Sequence, residues 1–100
     1  MKIKILWTEY DFLYQPCLLD EDGAHCFGFA EYPERRIRIE ELIPDDQKRV
    51  EVIHELDHTI SYLFGLDLTE VQIRGLSHGF YAVLKDNPGL AAHIVPGGKR

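Results

Sequence analysis

Residues 44–65, PDDQKRVEVIHELDHTISYLFG, constrain this chain more than any other stretch. Ile53, Leu56, Ile60, Leu63 and Phe64 recur at helical spacing and form one apolar stripe. Pro44 suits a helix start, Asp45 or Asp46 can cap it, and Gly65 is a plausible stop in the left-handed conformation. A long amphipathic helix is therefore expected here, and it carries two histidines four residues apart.

The next segment, LTEVQIRGLSHGFYAVLKDNPG, repeats the design. Thr69 can cap, Ile73, Leu76, Phe80, Val83 and Leu84 form a stripe, and Asn87-Pro88-Gly89 ends it. The first half of the chain reads differently. Residues 3–15 alternate in part and are rich in Ile, Trp, Tyr and Phe, predicting strand with a tight turn near Thr8–Asp11. Residues 16–26 read as a loop with an acidic turn. Residues 27–41 read as a hairpin turning at Pro33-Glu34. Strands followed by helices predict an α+β fold, with a small N-terminal antiparallel sheet ahead of two helices. One domain is expected over residues 1–90, with a flexible tail over 91–100.

Composition limits the partners. The chain has 100 residues and a formal charge of −6, without the basic face that a nucleic-acid binder needs. The longest apolar run falls far short of the ~20 residues that span a bilayer. MKIKILWTEYDFLY lacks the apolar core of a signal peptide. Cys17 and Cys26, nine apart, match no zinc ribbon or redox pair. A soluble protein of a reducing compartment, cytoplasmic, is the expectation.

His54-Glu55-Leu56-Asp57-His58 fits H-E-x-x-H. Two imidazoles one helical turn apart can reach one ion, and the glutamate is placed to accept a proton from water that the ion activates. At about 100° per residue the two histidines share a face away from the apolar stripe, so they are not core residues. They face either solvent or a cleft closed by another element. Two histidines and one more ligand leave a coordination position open, which is the catalytic arrangement of zinc. The extended pattern H-E-x-x-H-x-x-G-x-x-H is excluded, because its glycine position holds Ser61 and its last histidine position holds Phe64. The third ligand must come from elsewhere. Glu70, Arg74, His78 and Tyr81 share a polar strip on the second helix. A tight hairpin favours His78 as the ligand and a wider crossing favours Glu70, with Asp67 a weaker option near the turn. Tyr81 or His78 is a candidate to stabilise an oxyanion.

Taken together, H-E-L-x-H followed by Gly65-Leu66, Leu68-Thr69-Glu70 and a helix ending Asp86-Asn87-Pro88 resembles the short zincin-like metallopeptidases of phages and prophages. These are distantly similar to the ImmA/IrrE metallopeptidases. The resemblance runs from the hairpin GFAEYPERRIRI through the second helix. It implies a minimal zincin-like fold, zinc held by His54, His58 and Glu70, Glu55 as general base, and a peptide or protein substrate. For a phage protein it implies the host cytoplasm. Asp57 departs from the pattern, standing where related sequences more often have a small or apolar residue. The loop 16–26 is longer than the pattern, so no role carries over to Cys17, His25 or Cys26. The strand near Ile37–Ile39 is the expected partner for an extended substrate. The rival expectation is a binding or regulatory module of the same fold without turnover; the presence of Glu55 favours the enzyme. Oligomeric state is not legible.

Overall fold

A computed structural model describes residues 1–97. Its elements are β1 (Lys2–Ile5), β2 (Thr8–Gln15), β3 (Gly28–Glu31), β4 (Arg36–Glu40), α1 (Asp45–Phe64), α2 (Glu70–Asp86) and α3 (Leu90–Ile94). The protein is a small α+β domain, a four-stranded N-terminal sheet followed by helices.

The sheet order is β1-β2-β4-β3. β1 pairs antiparallel with β2 (Ile3 opposite Tyr10), and β3 pairs antiparallel with β4 (Ala30 opposite Ile37). β2 and β4, however, run parallel, with Phe12 opposite Ile37 and Tyr14 opposite Ile39. The sheet is therefore mixed, not wholly antiparallel as expected. The reason is the long connection 16–27. It carries the chain past β2, so the β3–β4 hairpin returns with β4 inside and β3 on the outer edge. The first turn also differs. Thr8 to Asp11 lie within β2, and Leu6-Trp7 make the turn, with Leu6 at φ 58°. Extending the strand to Thr8 keeps Tyr10 and Phe12 on one face.

That face holds the core. Tyr10, Phe12, Ile37 and Ile39 are buried, and Ile3, Ile5, Ala30, Val52 and Leu56 pack on them. The connection 16–27 is tied down by Glu40. Its carboxylate accepts backbone N–H bonds from Leu18 (2.7 Å), Cys17 (3.1 Å) and Leu42 (3.1 Å). Leu18 is fully buried beside it. These donors hold the Glu40 carboxyl below its ordinary range, Leu18 contributing most.

α1 lies across the sheet. Pro44 stands at its N-cap without a side-chain cap, so neither Asp45 nor Asp46 caps the helix; both lie in its first turn. Gly65 closes it at φ 63°, ψ 36°, as expected. Its burial departs from the predicted stripe. Glu55, Thr59 and Ser61 are buried, while Ile60 and Phe64 are 39% and 59% exposed. Thr59 is accommodated because its hydroxyl donates to the Glu55 carbonyl at 2.8 Å.

α2 starts on a full capping box. Thr69 Oγ1 accepts from the Gln72 backbone, and the Gln72 side chain accepts from the Thr69 N–H. It runs back along α1 and buries Ile73 and Ser77 against it. The remaining predicted stripe, Leu76, Phe80, Val83 and Leu84, stays exposed. The segment expected to be a loose tail begins as α3, set off by Asn87-Pro88-Gly89. The last three residues of the expected tail, 98–100, lie outside the described residues.

Candidate metal centre

One turn of α1 and the first turn of α2 meet across a cleft of about 770 Å³. Helical spacing sets His54 and His58 one above the other, with ring centroids 4.8 Å apart. The capping box at Thr69 fixes where α2 begins, and so where Glu70 stands. His54 Nε2 lies 2.9 Å from Glu70 Oε2, and His58 Nε2 lies 2.8 Å from Glu70 Oε1. Both imidazoles therefore aim the same nitrogen at one carboxylate.

His54, His58 and Glu70 bring their donor atoms close enough together that they could hold a metal ion. Tetrahedral ligands at ~2.05 Å from an ion stand roughly 3.3 Å apart. Each imidazole would need to draw back from Glu70 by about half an ångström to admit one. Their exposure is graded: the His54 side chain is 12% exposed, His58 30% and Glu70 50%. The cleft thus leaves an approach from the α2 side.

Glu55 points into the same cleft from the buried side of α1 and is only 5% exposed. Burial, then Glu51, then Glu70 push its carboxyl up to about 9. A divalent cation bound beside it would oppose that rise by favouring the ionised form. Glu51 stands one turn earlier on the same face, and Glu51, His54 and Glu55 also bring donor atoms together.

Glu51 escaped the sequence reading. Its signal was available: it precedes Glu55 by four residues, the spacing that stacks side chains on a helix. Gly28 on β3 was missed as well. A Cβ there would collide with Glu51 Oε2 and lie 2.8 Å from Glu55 Cγ and Oε2. Glycine at this strand position is what lets two carboxylates pack against the sheet edge. Tyr32 completes that wall. It stacks on Tyr62 with centroids 4.0 Å apart and planes within 5°. Burial, ahead of the nearby Glu55, pushes its hydroxyl up to about 12, so it remains a neutral donor.

The other sequence candidates fall into place or out of it. His78 lines the cleft, but its Nδ1 donates to the Arg74 carbonyl at 3.0 Å and it does not join the donor group. Arg74 lines the cleft too, with Nη2 3.5 Å from Glu70 Oε2. Tyr81 does not: its hydroxyl donates at 2.9 Å to Oδ1 of Asp46, which itself lines the cleft from the first turn of α1. Asp67 sits at φ 56° in the turn, outside the donor group. Asp57 accepts from the buried Ser77 hydroxyl at 2.9 Å and locks α2 to α1. Cys17 and Cys26 are free thiols, and His25 bridges Leu19 within its loop.

The strand beside the cleft is β3, not β4. Ile37–Ile39 lie between β2 and β3 with both edges paired, so they cannot accept another strand. Of the two edge strands, β1 and β3, it is β3 (Gly28–Glu31) that borders the cleft, with Gly28, Phe29 and Ala30 lining it. No helix among the described residues is long and apolar enough to cross a membrane. Searches of family models, curated proteins and solved structures found no match to this chain.

Proposed function

We propose that the protein is a zinc-dependent metallopeptidase with a minimal zincin-like fold, similar to the short phage-encoded enzymes. The observation that carries this reading is the convergence of His54 Nε2 and His58 Nε2 on the two oxygens of Glu70, with buried Glu55 alongside. His54, His58 and Glu70 would hold the ion. Zinc, when bound, polarises a carbonyl and makes water a stronger nucleophile near neutral pH.

The residues of the chain do the rest. Glu55 takes a proton at its carboxylate and returns it to the departing amine. Glu51 and Gly28 keep that carboxylate packed in place. The free edge of β3 orients an extended peptide by backbone hydrogen bonds. Arg74 faces the cleft as a donor to a substrate oxygen, the role expected earlier of His78 or Tyr81, while His78 spends its ring N–H on the Arg74 carbonyl.

A zincin-fold binding module without turnover is the second reading, favoured by the 50% exposure of the Glu70 side chain. Glu55→Gln separates the two. The amide has nearly the same shape and cannot accept the proton at neutral pH. Zinc content and thermal midpoint should stay at wild-type levels, while cleavage of a peptide library falls by ~10²-fold or more. Equal cleavage by both proteins would remove Glu55 from the chemistry, and no zinc-dependent cleavage by the wild type would leave the binding module.

A further inference from the structure

We propose that Glu51, His54 and Glu55 form a second cation site, selective for hard divalent ions such as manganese(II), which shares His54 with the zinc site and so excludes zinc when filled. The donor atoms of these three side chains lie within 4.8 Å of one another. Their spacing accounts for this, since residues i, i+3 and i+4 stand together on one helix face. The two donor sets overlap in one residue only. His58 and Glu70 belong to the first, Glu51 and Glu55 to the second.

The second set is enclosed. Glu55 is 5% exposed and the His54 side chain 12%. Gly28 on β3 brings the two carboxylates together against the sheet edge: a Cβ there would overlap Glu51 Oε2 and stand 2.8 Å from Glu55 Oε2. What the buried Glu55 carboxyl meets is the carboxyl of Glu51, with no N–H donor and no basic group beside it. Among the described residues, no Lys or Arg pairs with either glutamate. Arg74, which lines the cleft from α2, is engaged with Glu70. Two carboxylates confined in this way repel each other unless a cation stands between them, and the one buried away from water gains most from it.

Ligand chemistry sorts the ions between the two sets. Zinc favours the one with two imidazoles, and a hard ion favours the one with two carboxylates. A neutral imidazole has a single ring nitrogen free to act as acceptor, so His54 serves one ion at a time. An ion held by Glu51, His54 and Glu55 therefore takes His54 from zinc and occupies the carboxylate that would accept a proton. The consequence for turnover rests on the metallopeptidase reading above; the binding of the ion does not.

The test is titration of the metal-free full chain with manganese(II), followed by loss of the free ion's electron paramagnetic resonance signal, beside zinc affinity measured by competition with a chelator. The wild type should bind about one manganese(II) per chain, and zinc, the stronger binder to nitrogen ligands, should displace it. Glu51→Gln should weaken manganese(II) by ~10-fold or more and zinc by less than ~3-fold, while Glu70→Gln should do the reverse. Retained zinc binding shows that Glu51→Gln is folded. If that variant fails to fold, Gly28→Ala, whose Cβ parts the two carboxylates, should weaken manganese(II) in the same way. A wild type that binds zinc and no manganese(II), manganese(II) binding that survives Glu51→Gln or falls with Glu70→Gln, or both ions held at once would each overturn the proposal. Manganese(II) bound through Glu51 by a chain that takes no zinc would support this site and overturn the metallopeptidase reading instead.

Discussion

Glu70 is the residue on which the site turns. Its carboxylate meets both imidazoles while His78 is held by the Arg74 carbonyl one turn away. Glu70→Gln should therefore weaken zinc binding by at least ~10-fold, since a neutral amide oxygen is a poor ligand. His78→Ala should keep the metal. Competition against a chromogenic chelator measures both, and a reversed order would make His78 the ligand. The sequence left this choice open for a physical reason. Glu70 and His78 share a helix face, and only the crossing of α2 over α1 decides which is level with the histidines. His54, Glu55 and His58 needed no such information, because their spacing within one helix already places them together. Tyr81 shared the same face and was lost to Asp46, a contact thirty-five residues away that no local pattern announces.

Among the elements, helices were the more legible. Gly65 and Thr69 mark their ends through local chemistry, a left-handed stop and a capping box. The strands were found but their order was not. The parallel pairing of β2 with β4 depends on how the connection 16–27 returns, and that rests on Glu40 binding backbone N–H groups 22 and 23 residues away. The same contact makes a prediction. Because the folded-state pKa of Glu40 lies below its unfolded value, its contribution is present above about pH 4.5 and lost as pH falls through the folded value. In urea titrations, Glu40→Gln should lower the wild-type midpoint at neutral pH and flatten its decline in acid. Parallel curves for the two proteins would show that the clamp adds nothing.

At the scale of the whole molecule, the sheet supplies one apolar face, α1 covers it, and α2 is carried at a distance from the sheet to close the cleft. Six buried hydrophobic side chains among the described residues make a small core for such a chain, and buried Glu55 adds a cost that a cation would offset. Metal binding and folding should thus be linked. The direct measurement is zinc per chain in protein purified without chelator, read together with the thermal midpoint before and after chelation. The expected result is one zinc per chain and a midpoint that falls by several degrees when it is removed, with His54→Ala and His58→Ala at the lower value from the start. Protein that carries no stoichiometric zinc when supplied with it, and melts at the same temperature with and without chelator, would contradict a metal centre at His54, His58 and Glu70.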